Sequence, residues 1–230
     1  MRVVITAKTW APRNELVQIW VDRVKASAKE AGWDAEVIVC GSDGCKPPTG
    51  AHYIEAPNTY LTAKSNALLA AAREYDPDWY MYTGDDDLVS ANFCSAYNPW
   101  LGGDFDLVSW DDLYIYSQRQ QQLFYWPGYD KNVRDESIGA GRMLSRKLCD
   151  ALDWQHTDSV ANVSLDLLLT QRMRELTPWA REKRLRMGEE GVMMVDVKDG
   201  HSITAVGKFK DLQPISMSEQ ARRVLGGLSG

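Results

Sequence analysis

Long apolar runs are missing from this 230-residue chain. None approaches the ~18 uninterrupted residues that cross a bilayer. The first residues, Met1-Arg2-Val3-Val4-Ile5-Thr6, resemble a strand entering a core and not a signal peptide. A soluble, cytoplasmic protein with no membrane partner is the expectation. Cysteine is sparse. Cys40, Cys45, Cys94 and Cys149 match no zinc spacing, and no histidine completes a site around the near pair Cys40 and Cys45, so reduced thiols are expected. Internal repeats and low-complexity segments are absent, and there are only three histidines. What remains is 44% hydrophobic and 25% charged, the composition of an ordinary folded chain of about one domain.

Net charge is −6 but unevenly spread: residues 171–230 carry 11 basic and 8 acidic side chains, +3, which leaves −9 on 1–170. A basic end on an acidic body could meet phosphates or an anionic acceptor. A solvated, mixed-charge helix explains the run Arg181-Glu182-Lys183-Arg184-Leu185-Arg186 as well, and is the expectation for it.

The densest chemistry lies in Tyr80-Met81-Tyr82-Thr83-Gly84-Asp85-Asp86-Asp87-Leu88, where an aromatic strand stops in three carboxylates. Three like charges repel unless something positive sits among them, and a hard divalent cation is the usual partner of such oxygens. A solvated acidic turn accounts for the triplet alone equally well. Its setting decides. Residues 3–6, 35–40, 52–55 and 79–83 read as strands, with a helix after Pro12 whose apolar face is Leu16, Val17, Trp20, Val21, Val24, Ala28 and Ala31, and a second helix from Thr62 to Ala72. That order implies right-handed crossovers and a mostly parallel sheet, in which ligands bind at the carboxyl ends of the strands. Thr6-Ala7-Lys8, Ser42-Asp43 and the triplet then share one rim.

Further on, 105–110 reads as a strand, Leu113–Ser117 and Gln122–Trp126 as a hairpin around Arg119, 144–152 and 164–176 as helices, and 192–197 as an apolar strand leading to Asp199-Gly200-His201. Residues after Leu212 suit a helix with a loose glycine-rich end. Tyr114, Tyr116, Phe124, Tyr125, Trp126 and Tyr129 crowd the hairpin and suit either a sugar or base platform or an ordinary core.

In this order the parts resemble the GT-A family of nucleotide-sugar glycosyltransferases, in the style of the large family 2 group, over roughly residues 1–205. The likeness rests on Thr6-Ala7-Lys8-Thr9 after the first strand, Gly41-Ser42-Asp43 after the second, the segment 58–67 with Lys64 and Asn66, the triplet as a DxD motif, Gly139-Ala140-Gly141-Arg142, Ser164-Leu165-Asp166 and His201. It departs from the family where Leu165 replaces an acidic residue, and the register of the triplet is open between Asp85 with Asp87 and Asp86 with Asp87.

The resemblance implies a single α/β, Rossmann-like GT-A domain over 1–212, with a donor-nucleotide half (1–90), an acceptor and catalytic half (91–212) and a tail (213–230). The sheet would be mostly parallel, with flanking helices and a small antiparallel hairpin region. It implies an Mn2+- or Mg2+-dependent glycosyltransferase using a nucleotide-sugar donor, by family habit a UDP-sugar. Asp85, Asp87 and His201 would serve the metal. Thr6, Lys8, Asp43, Lys64, Asp85, Asp86, Gly139, Gly141 and Arg142 would serve the donor. Asp166 would be the general base of an inverting transfer. Small soluble enzymes of this kind include phage-type transferases acting on hydroxylated bases, which places DNA beside a saccharide or small molecule as acceptor, in a phage-infected host cytoplasm. A sugar-phosphate nucleotidyltransferase, or a binding module that has lost catalysis, is the alternative.

Overall fold

The computed structural model describes residues 1–42, 44–132, 134–162, 164–200, 202 and 206–228. β1 (Arg2–Lys8) is followed by a short turn of helix, Ala11–Arg13, and by α1 (Asn14–Glu30), which ends where Gly32 takes a φ of +73°. β2 (Asp34–Gly41), β3 (His52–Glu55), α2 (Leu61–Arg73) and β4 (Trp79–Gly84) complete the first half. The β-branched centre of β1, from Val3 to Thr6, has no exposed surface, as expected of a strand covered on both faces. Helix α1 buries Leu16, Val17, Trp20, Val21, Val24 and Ala28 against it. β1 pairs in parallel with β2 and β4, and β2 with β3.

The second half adds β5 (Asp87–Val89), β6 (Leu107–Trp110), β7 (Leu113–Ser117), β8 (Gln122–Trp126), β9 (Ile138–Ser145), α3 (Arg146–Ala151), α4 (Leu165–Leu176), β10 (Glu182–Leu185), α5 (Met187–Glu190), β11 (Met194–Lys198), β12 (Gln213–Ile215) and α6 (Glu219–Leu225). Two sheets result. The larger runs β10-β6-β9-β4-β1-β2-β3 and is parallel except for β9, which lies antiparallel between β4 and β6. The smaller runs β12-β8-β7-β11-β5. The α/β class, the mostly parallel central sheet with flanking helices and the antiparallel β7–β8 hairpin are as expected.

Three expectations are corrected. Residues 181–186 are not a solvated helix: β10 is an edge strand parallel to β6, with Leu185 buried and Arg184 paired to Glu182 on the other side. The helix expected from 144 starts at Arg146, because Met143 and Leu144 are buried in β9 between two strands, and Ser145 caps α3 by accepting from the Leu148 amide. The helix expected after Leu212 is α6, but the segment before it is the strand β12, which pairs with β8, and Ala221, Val224 and Leu225 of α6 are buried in the main core. Among the described residues no helix is long and apolar enough to cross a membrane.

Candidate functional site

The chain passes from the large sheet to the small one through the acidic triplet. β4 ends at Gly84, Asp85 and Asp86 form a turn, and Asp87 opens β5. The three carboxylates have different surroundings. Asp85 is buried and accepts from Thr9 Oγ1 and from an Arg13 guanidinium nitrogen, both at 2.7 Å. Asp86 lies 3.0 Å from the same Arg13 nitrogen. Asp87 accepts from the Gly84 amide at 2.5 Å and stands opposite Asp196 in the β5–β11 register.

Oxygens of Asp86, Asp87 and Asp196 lie within 4.8 Å of one another, close enough to share one cation. This grouping leaves Asp85 to Arg13 and Thr9. The donor set is what Mg2+ or Mn2+ takes, and the buried Asp196 Oδ1 has no hydrogen-bond partner among the described residues. A hard divalent cation therefore fits these residues. His201, expected as a further ligand, and Asp43, expected at the nucleotide, lie outside the described residues.

Two cations are built into the cluster. Arg13 is 7% exposed and reaches Asp85, Asp86, Asp199 at 3.4 Å and Ser202 at 3.1 Å. Lys198 Nζ lies 2.6 Å from Asp196 and 4.0 Å from Asp86. Burial, then Asp86, pushes the Asp85 carboxyl up to about 6 in spite of Arg13. Burial likewise raises Asp196 to about 6 against Lys198, and holds Asp87 well above the usual carboxylate range, with Asp86 and Asp196 adding to it. Against the cost of burial, the carboxylates raise Arg13 and Lys198 and keep them charged. Among the described residues Asp86, Asp87 and Asp196 crowd negative charge into one small volume, which a divalent ion would share.

Asp166 sits in the first turn of α4, after Ser164 in the left-handed region. Its Oδ2 accepts from the Gly139 amide at 3.1 Å and lies 3.5 Å from Tyr129 Oη. Arg142 is fully buried and holds this corner together. It donates to the Asp166 carbonyl, Thr170 Oγ1, Ser137 Oγ and the carbonyls of Ser137 and Ile138. Its guanidinium thus positions the start of α4. Gly141, with a φ of +75°, packs under Tyr97, Trp110 and Phe93.

Lys8 ends β1. Its Nζ donates to Ser65 Oγ at 3.2 Å, and Asp166, Asp87 and Asp85 all act on its charge, although burial lowers its pKa. Lys64 instead donates to the Thr9 carbonyl, Ser42 Oγ and Asn58 Oδ1, which ties the ends of β1 and β2 to the segment before α2. Thr6 is fully buried, with its hydroxyl 2.9 Å from Tyr80 Oη, inside the sheet and away from the rim. Of the hairpin aromatics, Tyr116 and Trp126 are buried in the core, and Tyr129 is the one that reaches Asp166. Asp196, Arg13 and Lys198 were missed by the sequence reading. The signal for Asp196 was an acid inside the apolar run Met194-Val195-Asp196-Val197.

No family model matches the sequence, and no curated protein matches it. Solved structures do match. A Drosophila β1,4-galactosyltransferase 7 mutant in complex with manganese, UDP-Gal and xylobiose superposes with a TM-score of 0.53 at 12% identity, covering 80% of this chain and 65% of that one. The mannosyltransferase PcManGT from Pyrobaculum calidifontis, in complex with GDP-Man and Mn2+, gives 0.52 at 15% identity, covering 85% and 56%. A 4-diphosphocytidyl-2C-methyl-D-erythritol synthase from Anaerococcus prevotii gives 0.53 at 10%, covering 80% and 88%.

The chain has the GT-A fold.

At these identities the likeness is one of fold, and the chain spans less than two thirds of the length of either transferase. Asp166 in the first turn of α4 and Asp85 and Asp87 after the end of β4 all act on the charge of Lys8.

Proposed function

We propose that this chain transfers a sugar from a nucleotide-diphosphate donor, a UDP-sugar, to an acceptor hydroxyl with inversion. The observation that carries this reading is the grouping of the Asp86, Asp87 and Asp196 oxygens within 4.8 Å of one another, with Asp87 and Asp166 both acting on the charge of one lysine, Lys8. A base and a cation site on one cleft are what the reaction needs. When bound, Mn2+ or Mg2+ supplies Lewis acidity that neutralises charge on the leaving diphosphate, and Asp86, Asp87 and Asp196 would hold it. Lys8 adds a point charge for a donor phosphate. Arg13 keeps Asp85 and Asp86 in place. Asp166 Oδ1 takes the proton of the attacking hydroxyl while Oδ2 stays on the Gly139 amide. The carboxylate lies in the first turn of the twelve-residue helix α4.

Thermal-shift titration with UDP, GDP and ADP, each with and without Mn2+, tests the reading, because a ligand of the folded state raises its melting temperature by mass action. A UDP shift that requires Mn2+ is expected. No shift with any nucleotide overturns the reading. The acceptor screen then sets saccharides beside DNA with hydroxylated bases.

The synthase likeness favours a second reading, a sugar-phosphate nucleotidyltransferase, since the matched chain is covered nearly whole. Against it, β1 is followed by Ala7-Lys8-Thr9-Trp10-Ala11-Pro12 and not by the glycine-rich loop and arginine of that class. The products separate the two: a transferase releases a nucleoside diphosphate, whereas a nucleotidyltransferase releases pyrophosphate from a nucleoside triphosphate.

A further inference from the structure

The two built-in cations of the acidic cluster are held differently. Arg13 is locked by contacts to Asp85, Asp86, Asp199 and Ser202, contributed by two separate segments. Lys198 has one close partner among the described residues, Asp196 Oδ2 at 2.6 Å, and its next carboxylate, Asp86, is at 4.0 Å. Its remaining neighbour of note is the ring of Phe209, 5.5 Å away. Asp196 and Lys198 alternate along β11, so they project from the same face of the strand. The ammonium thus stands against two of the three carboxylates that can share a divalent cation.

A divalent ion on Asp196 Oδ1 and an ammonium on Asp196 Oδ2 would repel each other strongly, because like charges a few ångströms apart in a buried site do. The lysine stem is long and its ammonium can rotate, whereas a guanidinium fork is fixed by its pairs. We infer that Lys198 is an exchangeable counter-ion: it neutralises Asp196 and Asp86 in the metal-free protein, is displaced when the divalent cation binds, and then pairs with the diphosphate of the donor. This rests on the transferase reading above. It adds an order of events, in which the same charge first resists the metal and then holds the nucleotide.

The test uses K198M and K198R in the full chain at pH 8. Mn2+ uptake without nucleotide is followed by the electron paramagnetic resonance signal of the free ion. UDP binding at saturating Mn2+ is then measured by calorimetry. K198M is expected to bind Mn2+ about tenfold more tightly than the wild type and UDP about tenfold more weakly. K198R, which keeps the charge, is expected to gain no Mn2+ affinity. A residue with a merely structural role would weaken both ligands or neither. K198Q repeats the measurement if K198M does not fold. Unchanged or weaker Mn2+ binding in the neutral variants overturns the displacement, as does equal tightening in K198R, and unchanged UDP binding overturns the second role. If neither wild type nor variant takes up Mn2+, the metal site itself falls and this inference with it. If both take it up equally, only the inference falls.

Discussion

Gly139 and Asp166 touch through a space that only a residue without a side chain leaves open. The Gly139 amide donates to Asp166 Oδ2 at 3.1 Å, and a Cβ on Gly139 would lie 1.9 Å from Oδ1. Gly139→Ala should therefore push the carboxylate off its place while β9, paired on both sides, stays folded. Transfer is expected to fall by about 10²-fold or more, the range for loss of a positioned base. Mn2+-dependent nucleotide binding should be retained. Steady-state kinetics beside a nucleotide titration checks this, and full turnover in the variant would argue against Asp166 as the base.

Asp196→Asn is expected to lower Mn2+ affinity by at least about tenfold, as loss of a ligand or of its outer support does. Asp85→Asn should affect the metal less, because both Asp85 oxygens already accept from Arg13 and Thr9. Mn2+ titrations of the two variants compare them directly. Equal loss in both would reinstate Asp85 as a ligand.

Arg13→Met leaves buried carboxylates without their main cation. Breaking a buried pair on one side costs about 3–5 kcal/mol, and the side chains of Arg13 and Asp85 are 8% and 3% exposed. Urea unfolding without metal should show a loss of that order. Added Mn2+ should recover part of it in the variant.

His156 is 2% exposed, and neither ring nitrogen has a hydrogen-bond partner among the described residues. Burial, then Lys8, Arg142 and Arg172, lowers its pKa to about 3. The unfolded chain takes up this proton near pH 6.5 and the folded chain only near 3. The stability this group contributes is thus full above 6.5 and drains away as the pH falls towards 3, by about 2 kcal/mol at pH 5. His156→Phe should flatten the acid limb of a stability-against-pH curve. An unchanged limb would mean that the imidazole is solvated.

Much of the fold was legible because its elements obey simple periods. The β-branched run of β1 and the helical stripe of α1 needed no long-range information. The charged strand β10 was not legible, since Glu182 and Arg184 satisfy each other on one face while only Leu185 shows a core contact. The triplet stood out through its neighbours in sequence, and Asp166 through the family resemblance. Arg13 looked like an ordinary helix-start residue, and Asp196 became a partner of Asp87 only through the β5–β11 register. Conversely, Lys64 and Arg142 have the chemistry of phosphate binders, but the folded chain directs their donors inward.

β5 is three residues long and forms the edge of the small sheet, held to β11 through the pairs Asp87–Asp196, Leu88–Val195 and Val89–Met194. The first of these pairs is also two-thirds of the cation site. A bound ion would therefore act as a rivet on the seam where the chain leaves one sheet for the other, fastening segments about a hundred residues apart in sequence. Chelation would then loosen the strand edge as well as empty the site, so the nucleotide cleft and the seam between the sheets would rise and fall together.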